Sequence, residues 1–151
     1  MGKKSEAKFI AVKQHINSLT TDLDLLFFTL DKLKRVLADW DNKKRELARR
    51  PKDVSLSESI AELEREFSRA KGKLQALVPR ASKSMLDANT DLLDYGAFLS
   101  HKAQKYASPI YTLMRKSLEE HQKNYVDLVP KLDNLQQRFD TFTRWVSPGL
   151  L

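Results

Sequence analysis

The chain has 151 residues, with 27 Lys and Arg against 20 Asp and Glu, for a net charge of +7. Hydrophobic residues make up 41% and charged residues 31%, too apolar for a disordered tail and too charged for a membrane span. Four Gly, five Pro and no Cys leave no phosphate-cradling loop, no thiolate metal site, no disulfide framework and no cysteine nucleophile.

The longest near-continuous apolar run, residues 23–30, is broken by Asp24 and Thr29, far short of the ~20 residues a spanning helix needs. The first residues, MGKKSEAKF, lack the apolar stretch of a signal peptide. A myristoylation signal wants Ser or Thr at position 6, which holds Glu6. The expectation is a soluble, cytoplasmic protein, with peripheral membrane contact as its one route to a bilayer.

Helical periodicity dominates. The first stripe runs Phe9, Val12, Ile16, Leu19, Leu23, Leu26, Leu30, Leu33, Leu37, Trp40 and Leu47, in steps of three and four interrupted only at Lys44. Neither Gly nor Pro occurs between Lys3 and Arg50. A sustained seven-residue repeat predicts a coiled-coil surface on one helix near 5–50, roughly 70 Å long. Pro51 ends it, and Ser55 with Glu58 forms a capping-box pattern for the next helix. The second stripe runs Ile60, Leu63, Phe67, Ala70, Leu74, Leu77, then past Pro79 through Ala81, Met85, Ala88, Leu92, Tyr95, Leu99, Ala103 and Tyr106. A kink or a break at Pro79 both fit this spacing. Ser108 and Pro109 read as N-cap and first helical residue. The last stripe runs Ile110, Met114, Leu118, His121, Tyr125, Leu128, Leu132, Leu135, Phe139, Phe142 and Val146, with Pro130 inside it and Ser147, Pro148 and Gly149 ending it. The expected fold is all-α: one domain over 1–151, an elongated antiparallel three-helix coiled-coil bundle. Its helices lie near 5–50, 56–107 and 109–146, the second and third proline-kinked.

Leu25, Phe27 and Phe28 are apolar but lie off the first seam. With Leu23, Leu26 and Leu30 they cover most of the helix circumference, and a helix apolar all round is buried on all sides. The belt predicts a partner interface: a homodimer crossing near Phe28, or other helical subunits. The alternative is that the chain's own second and third helices cover both sides.

The charge is uneven. Residues 1–50 carry 12 basic and 7 acidic groups, and each of the two remaining thirds is +1. Lys43, Lys44, Arg45, Arg49, Arg50 and Lys52 cluster at the first turn, which is a tip in an elongated bundle. A second set, Arg65, Arg69, Lys73, Arg80 and Lys83, falls within about 80° on a helical wheel, away from the Leu74 and Leu77 stripe. No acidic residue occurs between Glu66 and Asp87. Such surfaces attract anionic lipid, nucleic acid or an acidic protein. An ordinary solvated face, its long side chains lying over apolar surface, has the same composition.

No pattern points to catalysis. His15, His101 and His121 are isolated from metal-helix spacings. Carboxylates at Asp22 and Asp24, at Glu62, Glu64 and Glu66, and at Asp91 and Asp94 fit helix faces bearing salt bridges. No serine lies in a nucleophile turn. Tyr95, Tyr106 and Tyr125 lie on core stripes, so packing outweighs base stacking. Gly72 and Gly96 mark a close helix approach or a bend. The expectation is a non-enzyme with no cofactor, no metal and no small-molecule substrate.

With three consecutive helices, prolines at Pro79 and Pro130, the mid-helix belt and the basic turn, the chain resembles the BAR-domain superfamily. Residues 60–77 (IAELEREFSRAKGKLQAL) and 108–128 (SPIYTLMRKSLEEHQKNYVDL) have the texture of that family's second and third helices. The resemblance implies an antiparallel dimer that binds or shapes anionic membrane. The expected function is therefore a self-associating helical scaffold docking its basic surface on membrane or another acidic surface. The alternatives are an adaptor or structural subunit of a larger assembly, and sequence-independent nucleic-acid binding, for which no recognisable reading module is present.

Overall fold

A computed structural model describes residues 2–146. The chain forms α1 (Gly2–Arg49), α2 (Val54–Lys105), a 3-10 turn (Pro109–Tyr111) and α3 (Thr112–Trp145). Among the described residues there is no strand, so the all-α expectation holds. The expected stop at Ser147, Pro148 and Gly149 lies outside the described residues.

Local chemistry moves two boundaries. Asp53, not Ser55, caps α2: its Oδ1 accepts the Leu56 N–H at 3.0 Å. The helix therefore starts at Val54, two residues early. Ser108 holds the N-cap position of the 3-10 turn with Pro109 following, but its hydroxyl makes no cap bond. α2 and α3 continue through Pro79 and Pro130. Both prolines lie on exposed faces of their helices, where the loss of one backbone bond is tolerated.

The helices contribute to two compact units. The first joins the chain up to Leu23 with Ala81–Thr141. Its core takes Val12, Ile16, Leu19 and Leu23 from α1, Met85, Leu92, Tyr95 and Leu99 from α2, and Leu118, Leu128, Leu132 and Leu135 from α3. Steps of three and four place these on facing stripes. Contacts of Lys8 with Asp94, His15 with Asp91 and Asp22 with Ser84 run α1 antiparallel to α2. Asp22 departs from the expected solvated face: it is buried and accepts the Ser84 hydroxyl at 3.2 Å.

Tyr95 is fully buried, with its hydroxyl 2.6 Å from His121 Nδ1 and 3.2 Å from the His121 carbonyl. This partner explains how a histidine sits in an apolar stripe. Burial pushes the Tyr95 hydroxyl up to about 12. Ile110 and Met114, expected in the last stripe, are exposed. The 3-10 turn winds three residues per turn and puts Ile110 out of phase with α3. Met114 lies in the first turn of α3, ahead of the buried run that starts at Leu118.

The second unit joins Asp24–Arg80 with the chain from Phe142. Leu26, Leu30, Leu33, Val36, Ile60, Leu63, Ala70, Leu74 and Leu77 are buried together with Phe142 and Val146. Thr29 is tolerated among them because its hydroxyl returns to the Leu25 carbonyl at 2.7 Å. α3 lends this unit only its end, so among the described residues the α1 and α2 hairpin beyond has two helices and no third. Leu37, a seam position, is accordingly 46% exposed.

Candidate anionic-surface site

The α1 to α2 turn belongs to the second unit. Arg50 N–H donates to the Glu46 and Leu47 carbonyls at 3.0 and 3.1 Å, and Asp53 N–H to the Arg50 carbonyl at 3.1 Å. These bonds close the turn while Pro51 prevents α1 from continuing. Its cations differ in their surroundings. Lys43 is half-buried and pairs with Asp39 at 3.5 Å, and exposed Arg50 pairs with Glu46 at 3.6 Å. Lys44 lies over the Trp40 ring, 5.3 Å from its centroid. Arg45, Arg49 and Lys52 are exposed, with no carboxylate partner among the described residues. Arg49 ends α1, where a cation is favoured by the helix dipole.

The α2 cations fall into two groups. Arg65 and Arg69 close on one carboxylate: Arg65 Nη2 donates to Glu62 Oε2 at 2.7 Å, and Arg69 Nη2 to Oε1 at 3.2 Å. The Arg65 hydrogen bond, and then that of Arg69, hold the Glu62 carboxyl below the usual carboxylate range. This triad keeps one net positive charge, where a count of cations alone finds two. Lys73 and Arg80 are exposed further along α2 in the same unit. Lys83 is exposed in the first unit.

The apolar belt separates by residue. Leu25 is half-buried. Phe27 meets Phe142 and Trp145 edge-on, with ring centroids at 5.8 and 5.9 Å. The end of the chain's own third helix therefore covers it. Phe28 is 60% exposed, in a shallow groove with Lys32, Arg35, Asp39 and Glu66. Sequence reasoning missed a second groove, of about 330 Å³, lined by Val36, Leu37, Trp40, Leu63 and Phe67. Trp40 Nε1 donates to Glu64 Oε1 at 3.1 Å on its edge.

Among the described residues no three His, Asp or Glu side chains converge as a metal site requires. No helix among them is long and apolar enough to cross a membrane. Comparisons of the chain with protein-family models, with curated protein sequences and with solved structures find no match.

Proposed function

We propose that the chain is a non-catalytic, self-associating helical scaffold whose basic α1 to α2 turn docks on an anionic surface, with an anionic bilayer as the first candidate. The observation that carries this reading is the set of Arg45, Arg49 and Lys52, exposed at one turn and unmatched by carboxylates. The Lys43 and Arg50 pairs are part-exposed, and such pairs contribute roughly 0–1 kcal/mol, so an anionic surface displaces them at little cost. Docking of this kind matches what the BAR-domain resemblance implies. Phe28 supports self-association, because the chain's own helices leave it 60% exposed.

Sedimentation with anionic liposomes tests the docking. Binding is expected to weaken with salt and to be lost when Arg49, Arg50 and Lys52 are changed to Glu. Unchanged sedimentation of that variant refutes a role for the turn. Light scattering tests self-association, which a monomer at micromolar concentration refutes.

The Val36, Leu37, Trp40, Leu63 and Phe67 groove favours a second reading, a helical subunit whose hairpin receives a helix from another chain. On that reading the isolated protein aggregates unless it is co-expressed with its partner.

A further inference from the structure

Ile110 and Leu113 are 81% and 82% exposed, the highest values among the large apolar side chains of the described residues. They sit in and just after the 3-10 turn that joins α2 to α3 in the first unit. The charge around them is one-sided. Residues 95–118 contain no Asp or Glu, yet include Lys102, Lys105, Arg115 and Lys116. None of these four has a carboxylate partner among the described residues. The Lys102 and Lys105 ammonium groups lie 5.7 and 5.8 Å from the Tyr106 ring, which pairs with Tyr111 at 5.3 Å.

We propose that this α2 to α3 turn inserts Ile110 and Leu113 into the headgroup boundary of an anionic bilayer, with the four cations meeting lipid phosphates and carboxylates around it. Three observations converge. Side chains this exposed lie against no groove of their own, and a protein partner must supply a matching pocket whereas acyl chains need none. The acid-free stretch from 95 to 118, with its four cations, is complementary to anionic headgroups. Finally, the turn meets part of its own polar backbone internally. Pro109 has no N–H, the Thr112 hydroxyl donates to the Pro109 carbonyl at 2.8 Å, and the Tyr111 N–H donates to the Ser108 carbonyl at 3.1 Å. Tyr111, half-buried against the buried Tyr106, is of the kind that settles at headgroup level.

The inference takes from the proposed function only that the anionic surface is a bilayer, and it uses none of the same residues. The chain has no cysteine, so Leu113→Cys gives a single thiol for an environment-sensitive fluorophore. With phosphatidylcholine vesicles containing phosphatidylserine, the label should shift to the blue and be quenched by lipids carrying a quencher in the upper acyl chain. Phosphatidylcholine alone should give neither. In the unlabelled protein, Ile110→Ser with Leu113→Ser should lower partitioning onto the anionic vesicles by roughly tenfold to a hundredfold. Far-UV circular dichroism should be unchanged, because both positions face solvent.

A label that stays unshifted on vesicle-bound protein overturns the inference, as does equal insertion into neutral vesicles or full binding by the double variant. Complete failure of the protein to bind anionic vesicles overturns it as well. If the Arg49, Arg50 and Lys52 variant binds unchanged while the label still inserts, the docking role of the α1 to α2 turn fails and this inference stands.

Discussion

Gly96 and Gly72 both lie in the interior of α2, and replacing each with alanine separates intrinsic helix preference from packing. Alanine is favoured over glycine in a helix interior by about 1 kcal/mol. At Gly72 a new Cβ meets nothing within 4 Å, so the whole gain should appear as stability. At Gly96 the same Cβ falls 2.8 Å from Tyr125 Cε2, 3.0 Å from Cζ and 3.1 Å from the hydroxyl oxygen. The ring must swing away by several tenths of an ångström. In doing so it gives up part of its edge contact with Tyr95, whose centroid is 6.2 Å away. Overpacking costs about 1–3 kcal/mol and such a ring pair is worth about 0.5–1.5 kcal/mol, against the ~1 kcal/mol gain. Gly96→Ala should therefore lose about 1 kcal/mol where Gly72→Ala gains nearly as much. In thermal unfolding followed by circular dichroism, Tm should fall by about 2–4 °C in the first and rise by a similar amount in the second. Urea unfolding gives the same ordering in midpoint. If Gly96→Ala stabilises as much as Gly72→Ala, the close approach of α2 and α3 at this level is refuted.

Stability should fall between about pH 10 and 12, because the unfolded chain loses the Tyr95 proton near its ordinary value while the folded chain keeps it to about 12. The loss should be up to about 2 kcal/mol, and Tyr95→Phe should flatten that part of the urea-midpoint profile against pH. Glu62→Gln releases Arg65 and Arg69 from their shared carboxylate. If α2 contributes to docking, the variant should bind anionic liposomes more tightly and with a steeper salt dependence, read by sedimentation across a salt series. Asp53→Ala should cost about 1 kcal/mol in chemical unfolding, whereas Ser55→Ala should stay within about 0.5 kcal/mol. Equal costs would mean that the Asp53 cap does not set the start of α2.

Periodicity made the helices legible because it reports which face of each helix turns inward. The seam from Val12 to Leu33 is buried throughout. Periodicity does not report how far the neighbouring helix extends, and Leu37 shows the consequence: it keeps the seam's spacing but outruns the end of α3. Ile110 fails for another reason. A three-residue turn changes the phase, and nothing in a step count marks where an α-helix gives way to a 3-10 turn. At the start of α2 two caps competed, and the capping-box pattern at Ser55 hid the simpler Asp53 cap two residues earlier. Phe27 was legible as a residue needing cover, but its cover lies 115 positions along the chain at Phe142, a separation that spacing alone does not bridge.

The candidate site was legible in proportion to how local its chemistry is. The cluster at residues 43–52 is contiguous, and its exposure follows from Pro51 closing a turn between two helices. The α2 row was less legible because counting cations on a wheel ignores the carboxylate that shares their face. Glu62 stands three and seven residues before Arg65 and Arg69, the spacing at which side chains meet on a helix. The two turns also differ in the force available to them. Near the α1 to α2 turn, Glu46, Asp53 and Glu58 accompany the cations, and exposed Val54 is the one large apolar group among residues 43–58 with more than half its surface free. Docking there would rest on long-range charge, which rising salt screens. At the α2 to α3 turn no acid occurs from 95 to 118, and four cations flank Ile110 and Leu113 along the chain. Contact made there keeps an apolar component that salt does not screen. Membrane binding through the first turn alone therefore falls to nothing at high ionic strength. Binding through the second falls to a residue set by two side chains.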